Sequence, residues 1–580
     1  MAFALCGQFS WRDPVSVEVW RNDAMKVKWT KLGMVVFFLL SVVMTTCFIW
    51  QYRMPKLEME TVSTDSLRKE TICPRFPEPV PLTHPIPVLK QALEQVDALF
   101  RSKVNQISLP AISAIVILND SVLWNGNFGK RNGSDPNSPP PSEYTMYRIA
   151  SLSKIFPTLM LYKLWEDGGV DSLDDPIEKY VDNFTIKNPL GRGGGPGQAS
   201  PRARLPSITL RRMASQLSGL PRRLRETNLL WSGDTHAALE LLKDDILVAD
   251  PGTKCHYSNV AFSLLAKALA QRVAGVDFEE WVSVNILQRL GLDDTGFDIT
   301  PDVRAQMAVG VYASGQPAPL YDLGWYRPAG QMYSTAADMA KLSMVLLGGY
   351  SRRLLRDDTL KTMLTPAFRC HAGYFANATA TPWEVNELRG YDVLRKDGDL
   401  DGYAATLSLV PRLNLGLLVL MAGVRPQTGP DLVTEVYRRL LPAIETAFRG
   451  AARTLAAPPS SDPYVGIFTY RNMTFYEIKA DPDGVLVIQQ FGPQMDPSVP
   501  AKYRTIRLDY LEDRVFRVVF EQEYPCKLKV NSASVSLEAQ DRQLFNFYPF
   551  GKKGVSPGFD SPGLNTYRVI RIAHRPYFPS

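Results

Sequence analysis

The sequence predicts a mixed α/β body that is preceded by one membrane-spanning helix and followed by a small all-β domain. Three observations lead to this prediction. Residues 32–50 are uncharged and apolar, residues 88–104 have helical spacing and precede a buried strand, and short alternating or β-branched strands follow residue 463. Because a chain of 580 residues exceeds a single hydrophobic core, we expect several domains.

The apolar segment 32–50 (LGMVVFFLLSVVMTTCFIW) is expected to cross a bilayer core of about 30 Å as a helix, with a buried core helix as the alternative. Lys26, Lys28 and Lys31 precede it, so the positive-inside rule predicts that residues 1–31 form a cytosolic tail. The predicted protein is therefore a single-pass type II membrane protein, anchored through residues 32–50, with a lumenal or extracellular body. Asn-X-Ser/Thr sequons beyond the segment weakly support a glycoprotein: Asn119, Asn132, Asn183, Asn377 and Asn472.

The rest of the chain separates by composition and pattern. Polar residues and then closely spaced prolines predict a semi-rigid stalk. The folded body is expected to begin with the helix 88–104, to continue with a buried strand at 111–120, and to contain a core hairpin at 403–423. The predicted segments are the stalk 51–87, the main domain 88–447, the linker 448–463 and the small β domain 464–577.

Composition excludes two classes of function. The net charge is +6, and no basic face with interleaved aromatic residues is visible, so nucleic acid is not an expected partner. The five histidines do not form His-X-His or His-Glu-X-X-His spacings. We therefore do not expect a metallo-hydrolase, and the serine chemistry described below would need neither a metal nor an organic cofactor.

The cysteines allow more than one arrangement. Cys6 lies in the predicted tail and Cys47 in the predicted span. The other four allow three pairings in an oxidising compartment: Cys73, Cys255, Cys370 and Cys526. Cys255 has the alternative interpretation of a small core residue.

Three short motifs together have the pattern of a serine acyl-transfer site. Ser151 and Lys154 stand at i and i+3, so on a helix they share one face. Tyr257-Ser258-Asn259 follows later in the chain, and Lys396-Asp397-Gly398 follows after that. A serine hydroxyl needs a neighbouring base to take its proton, and a desolvated lysine or a phenolate can do so. Each motif alone is common in helices and loops, so the hypothesis depends on the set.

The blocks around these motifs resemble the serine β-lactamase and penicillin-binding-protein family, most closely its class C and esterase branch. The resemblance covers roughly residues 88–445. It implies an α/β, β-lactamase/transpeptidase-like fold: an antiparallel sheet flanked by helices, with a helical lobe between the first and third motifs. The matching blocks are YRIASLSK (147–154), DSLDDPIEKYV (171–181), SITLRRMASQLSGLP (207–221), PGTKCHYSNVAFSLLA (251–266), LGLDDTGF (290–297), PAGQMYSTAADMAKL (328–342) and KDGDLDGYAATLSLVP (396–411).

The resemblance also implies roles for the first two motifs. Ser151 would be the acylated nucleophile, with Lys154 as its amine partner and Tyr257 as the proton shuttle. Asn259 would position the acyl group or Lys154. Pro157 departs from this pattern, because a proline in the second turn of the nucleophile helix is expected to kink it and to move Lys154.

The third motif would supply the substrate-facing strand. Lys396 matches the lysine of the family's Lys-Thr-Gly motif, with Asp397 and Gly398 beside the substrate. The backbone N–H groups of Ser151 and Asp399 would form the oxyanion hole, where each donor is worth about 3 kcal/mol of barrier. Asp397 and Asp399, which follow Lys396, are unusual for this family. We expect them to neutralise the charge of Lys396 and to disfavour an anionic substrate end.

The implied function is that of a membrane-anchored serine hydrolase that forms an acyl-enzyme on Ser151. Its partner would be a small peptide, amide or ester, as for a peptidase or an esterase. The alternative is a catalytically inactive β-lactamase-like ectodomain that binds a ligand or a protein partner. Intact Ser151, Lys154 and Tyr257 favour the hydrolase. Pro157, Asp397 and Asp399 favour the alternative.

Overall fold

The computed structural model describes most of the chain after residue 86 and little before it. The chain divides into two compact units, residues 1–70 and residues 71–580, and the main and β domains both belong to the second. The described residues are 34, 37–39, 41–45, 77, 79, 80, 82, 87–104, 107–189, 207–426, 431–493, 505–520, 524, 527–530, 533–536, 541–562 and 566–578.

The predicted transmembrane helix at 32–50 is wrong. No helix among the residues that the structure describes is long and apolar enough to cross a membrane. The predicted anchoring, type II orientation and lumenal or extracellular body are corrected with it. The tail 1–31, the rest of 32–50 and most of the stalk 51–87 lie outside the described residues.

The main domain alternates helices with strands. Its strands are β1 (Ala111–Leu118), β2 (Ser121–Gly129), β3 (Met146–Arg148), β4 (Tyr333–Thr335), β5 (Phe368–Arg369), β6 (Ala378–Thr379), β7 (Glu384–Leu388), β8 (Tyr391–Leu400), β9 (Tyr403–Val410) and β10 (Leu415–Ala422). Its α-helices are α1 (Pro87–Lys103), α2 (Ile155–Glu166), α3 (Leu210–Ala214), α4 (Thr235–Lys243), α5 (Asn259–Leu269), α6 (Phe278–Val282), α7 (Pro301–Gln306), α8 (Arg327–Gly330), α9 (Ala336–Leu346), α10 (Asp357–Leu364) and α11 (Leu432–Leu455).

Eight of these strands form one antiparallel sheet in the order β2-β1-β10-β9-β8-β7-β6-β5. Every residue of β1, β9 and β10 is buried, because the central strands are covered on both faces. β3 and β4 pair separately. The antiparallel sheet with flanking helices that the resemblance implied is therefore present, and the error in the predicted fold class is the transmembrane helix.

Strand β1 shows how the sheet separates two hydrophobic cores. Successive side chains of a strand face opposite sides. Ile112 and Val116 pack into the core shared with α1 and α11, whereas Ile115 and Ile117 face the core that contains the helical lobe. Burying each such side chain stabilises the fold by about 1.5–3 kcal/mol. Helix α1 contributes residues at helical spacing: Leu89, Ala92, Val96 and Phe100.

The C-terminal β domain contains a closed barrel with the order β11-β12-β13-β14-β15-β18-β19-β20. An eight-stranded barrel is just wide enough for side chains to fill it, and here buried aromatic rings do so: the Phe516–Phe547 and Phe547–Phe559 ring centroids are 5.3 and 5.2 Å apart. The strands are β11 (Gly466–Tyr470), β12 (Thr474–Ala480), β13 (Leu486–Phe491), β14 (Thr505–Glu512), β15 (Val515–Val519), β16 (Lys527–Val530), β17 (Ala533–Ser536), β18 (Leu544–Phe547), β19 (Gly558–Ser561) and β20 (Thr566–Ile572).

The barrel joins the main domain through the end of α11. This helix continues to Leu455, so the first half of the predicted linker 448–463 is helical. Just beyond it, the carbonyl of Ala456 accepts a hydrogen bond of 2.9 Å from the N–H of Tyr510 in β14. The linker is therefore attached to the barrel at the point where the helix ends.

Candidate active site

Ser151 lies in a tight 3₁₀ turn, Ala150–Lys154, that connects β3 to α2. Ala150, directly before the serine, has φ 48°, a left-handed conformation that costs free energy in a residue with a Cβ. The turn is held from behind, because the N–H of Ile149 donates to the carbonyl of Met332 at 2.9 Å. The surrounding structure thus maintains a strained turn that presents the side chain of Ser151.

The hydroxyl of Ser151 contacts groups from the first two motifs. Lys154 Nζ lies 3.0 Å from Ser151 Oγ and donates a second hydrogen bond of 2.7 Å to the carbonyl of Ala329. Tyr257 Oη lies 2.7 Å from the same Ser151 Oγ. The structure therefore brings the predicted nucleophile, amine and phenol together at one oxygen atom.

Burial and charge shift the pKa values of the two candidate bases. Burial lowers the pKa of the Lys154 ammonium, which also lies 5.0 Å from the ring centroid of Tyr257. Burial acts to raise the pKa of Tyr257, but the positive charges of Lys154 and Lys396 outweigh it and hold that pKa below its ordinary value. Both shifts favour the form that can accept a proton, the neutral amine or the phenolate.

Pro157 does not displace Lys154. It is the third residue of α2, which begins at Ile155, and the N–H groups of a helix's first turn have no intrahelical partner. A proline in the first turn of an α-helix is tolerated. Lys154 Nζ accordingly lies 3.0 Å from Ser151 Oγ, within hydrogen-bond distance.

Lys396, the lysine on β8, has a partner that no sequence motif indicates. Lys396 Nζ donates to Glu384 Oε1 at 2.7 Å, and both side chains are buried. The same Nζ lies 5.3 Å from the ring centroid of Tyr257. Burial acts to lower the pKa of Lys396, but Glu384 and Tyr257 overcome this effect and hold the pKa above its ordinary value. Glu384 belongs to no motif, and only the pairing of β7 with β8 reveals it.

The two acids beside Lys396 pair with arginines instead. Asp397 accepts a hydrogen bond of 2.9 Å from Arg395 Nε, and Asp399 accepts one of 3.2 Å from Arg425 Nε. Burial acts to raise the pKa of Asp397, but Arg425 and Arg395 hold it below its ordinary value. Lys396 is therefore neutralised by Glu384 and not, as the sequence predicted, by Asp397 and Asp399.

Gly398 allows β8 to pass directly against the nucleophile turn. A Cβ at this position would lie 2.3 Å from the carbonyl oxygen of Ile149 and 2.8 Å from the backbone nitrogen of Ser151. Only glycine fits without movement of the backbone. The contact places the strand that continues to Asp399 beside the N–H of Ser151, where the resemblance implies the oxyanion hole.

The segment that carries Tyr257 is held by Gln216. The side-chain oxygen of Gln216 accepts a hydrogen bond of 2.8 Å from the N–H of Ser258, and its carbonyl accepts one of 2.9 Å from the N–H of His256. Asn259 follows as the first residue of α5 and is 8% exposed. Tyr257 is therefore positioned from both sides along the chain.

An aromatic loop forms one wall beside Tyr257. Cys255 and Cys370 form a disulfide, which is one of the pairings that the sequence left open. Cys73 and Cys526 lie outside the described residues. Beyond Cys370, the ring of Phe375 is 60% exposed and lies 6.2 Å from that of Tyr257. The loop thus adds an apolar surface that the motifs did not predict.

The arrangement can carry out acyl transfer. It combines a hydroxyl nucleophile with two groups able to take its proton. Within the part of the chain that the structure describes, no three His, Cys, Asp or Glu side chains cluster so as to hold a metal ion.

Comparison with known proteins connects this geometry to relatives. A family model described as β-lactamase matches residues 96–438. The Homo sapiens protein β-lactamase-like 1 is 60% identical over 507 residues, which cover 87% of this chain and 100% of that protein. β-Lactamase-like protein 2 of Dictyostelium discoideum is 29% identical over 385 residues, which cover 64% of this chain and 67% of that protein.

Solved structures show the same fold. The β-lactamase/D-alanine carboxypeptidase of Yersinia pestis, complexed with citrate, has a TM-score of 0.50 at 23% identity and covers 62% of this chain and 98% of its own. A class C β-lactamase has a TM-score of 0.51 at 19% identity and covers 62% of this chain and 100% of its own. At these identities the likeness concerns the fold alone.

Proposed function

The chain belongs to the β-lactamase family of serine hydrolases, and on that basis we propose that it hydrolyses an amide or ester through an acyl-enzyme on Ser151. One observation carries the proposal: Ser151 Oγ lies 3.0 Å from Lys154 Nζ and 2.7 Å from Tyr257 Oη. A nucleophile within hydrogen-bond distance of a base is the arrangement that serine acyl transfer requires.

Acylation begins when Ser151 Oγ attacks the substrate carbonyl carbon and forms a C–O bond. Its proton passes to the Tyr257 phenolate or to the neutral amine of Lys154. The N–H groups of Ser151 and Asp399 stabilise the negative charge that develops on the carbonyl oxygen. The tetrahedral intermediate then collapses: the bond to the leaving group breaks, and the leaving nitrogen or oxygen receives the proton.

Deacylation repeats these steps with water. A water molecule gives a proton to the same base as its oxygen attacks the acyl carbon. Collapse breaks the bond to Ser151 Oγ, which recovers a proton, and releases a carboxylic acid. Each step balances with groups of this chain and water.

The proposal is tested by labelling the purified full-length protein with a fluorophosphonate probe. We expect one labelled peptide, modified at Ser151, and no labelling of Ser151→Ala at an unchanged melting temperature. Ser153→Ala is the matched control, because Ser153 Oγ is buried and accepts a hydrogen bond of 3.1 Å from the N–H of Met332, away from the reacting groups. Absence of labelling in the folded wild type would contradict the hydrolase and favour the alternative, an inactive site that binds a ligand.

A further inference from the structure

We propose that Glu384 determines substrate specificity by cancelling the charge of Lys396, so that the cleft accepts acyl donors that are uncharged at the end facing β8. The inference rests on the proposed hydrolase function and adds the chemical class of its substrate: neutral amides or esters with an apolar or aryl group.

The first support is the geometry of the pair. Lys396 Nζ and Glu384 Oε1 are 2.7 Å apart, and their side chains are only 2% and 7% exposed. Two opposite charges at this distance and burial interact far more strongly than they would in water. The ammonium of Lys396 is therefore already matched before any substrate arrives.

The second support is the position of the pair next to the reactive serine. Lys396 Nζ lies 5.3 Å from the ring centroid of Tyr257, which contacts Ser151. Gly398, two residues along β8 and on the same face as Lys396, lies against the backbone of Ser151. A substrate carboxylate placed along this strand would meet a neutralised lysine and the like charge of Glu384, which disfavours its binding.

The other cations near the strand do not replace Lys396. Arg395 pairs with Asp397, and Arg425 pairs with Asp399. Arg222 lies 5.1 Å from the ring centroid of Tyr257, but it is exposed, so solvent and salt screen its charge.

The third support is the apolar wall. Phe375 is 60% exposed beside Tyr257 and packs against the tilted ring of Tyr374, with ring centroids 4.2 Å apart. An exposed aromatic ring at the mouth of a cleft offers contact area to an aryl or aliphatic group. The surroundings of Tyr257 therefore combine a charge-neutral ion pair with an exposed apolar ring.

The test compares two phenylacetyl aryl esters that differ in one charge. One has 3-hydroxybenzoate as its leaving group, and the other has the near-isosteric 3-hydroxybenzamide. Binding is measured by titration calorimetry in the Ser151→Ala background, where neither ester is turned over. We expect the carboxamide ester to bind more tightly than the carboxylate ester. Adding Glu384→Gln should improve the relative affinity for the carboxylate ester by at least about tenfold, because Lys396 is then free to pair with it.

The matched control is Glu387→Gln, which removes the same charge from the same strand at an exposed position and should leave the ratio of the two affinities unchanged. Tighter binding of the carboxylate ester while Glu384 is intact would overturn the inference, as would a ratio that is equal in all three proteins or no measurable binding of either ester. The ranking with Glu384 intact decides the matter even if Glu384→Gln fails to fold. Failure of the proposed hydrolase is observed separately, as absent labelling of the protein that retains Ser151.

Discussion

The disulfide between Cys255 and Cys370 joins the segment that contacts the reactive serine to the segment that carries Phe375. Tyr257 follows Cys255 closely and contacts Ser151, and Phe375 follows Cys370 and lies 6.2 Å from the ring of Tyr257. The bond spans a separation of 115 residues. The apolar wall of the cleft and its proton-transfer group are therefore tied together covalently.

Removing this disulfide should affect stability and substrate binding together. For Cys255→Ser/Cys370→Ser we expect a loss of about 2–5 kcal/mol in the free energy of unfolding, measured with denaturant. KM for an aryl ester should rise more than kcat falls, because Phe375 loses its tether while the residues on both sides of Tyr257 are still hydrogen-bonded to Gln216. Phe375→Ala is the control that should raise KM with little loss of stability. An unchanged KM in both proteins would contradict a role for the loop in binding.

Substituting either candidate base should slow the labelling of Ser151, whereas substituting a nearby group should not. Lys154→Ala and Tyr257→Phe should each slow acylation of Ser151 by about 10²–10⁴-fold, the usual worth of a positioned proton-transfer group. Tyr374→Phe makes the same change in a neighbouring ring that does not contact Ser151 and should keep the wild-type rate. Time-resolved labelling by mass spectrometry measures all three. Equal slowing by Tyr374→Phe would indicate a general loss of cleft structure.

The pH dependence of acylation should report the charges around Tyr257. Acylation needs the neutral amine or the phenolate, so kcat/KM should rise with pH through the pKa of the Lys154–Tyr257 pair. The charge of Lys396 lowers both pKa values. Lys396→Gln should therefore move the rising limb to higher pH, measured with an uncharged ester.

Glu384→Gln should shift the pH dependence of kcat/KM in the opposite direction to Lys396→Gln. The negative charge of Glu384 raises the pKa values of both Lys154 and Tyr257, so its removal should move the rising limb to lower pH. A shift of both variants in the same direction would show that the buried ion pair acts through structure rather than through charge.

The contact between β8 and the nucleophile turn should not tolerate a methyl group. In Gly398→Ala the new Cβ would meet the backbone of Ile149 and Ser151 at 2.3 and 2.8 Å, so we expect labelling to slow by about 10²-fold, the effect of misplacing a reacting group by about 1 Å. Gly416→Ala, on β10, is the control, because its Cβ would meet its nearest neighbour at 3.4 Å. Labelling rates and melting temperatures of both variants check this. Wild-type labelling in Gly398→Ala would mean that the strand can move away without cost.

For the fold, the sequence correctly predicted a segment when the spacing of its own apolar residues determines which of its faces is buried. The periodicity of 88–104 indicates a helix with one apolar face, and α1 buries that face. The segment 32–50 shows where such reasoning ends. Apolar composition indicates which side chains avoid water, but it does not determine how many consecutive residues form one helix, and no described helix is both long and apolar enough to span a membrane.

For the site, the sequence by itself determined that Ser151 and Lys154 can meet, because they stand three positions apart on one turn of chain, and it marked Tyr257 and Lys396 as candidates. The tertiary structure alone decided that Glu384 is the partner of Lys396 and that Cys370 is the partner of Cys255. Strand register and loop packing set these contacts, and both depend on interactions between distant segments. A buried charge takes whatever opposite charge the fold places within reach, and spacing along the chain cannot specify which one that is.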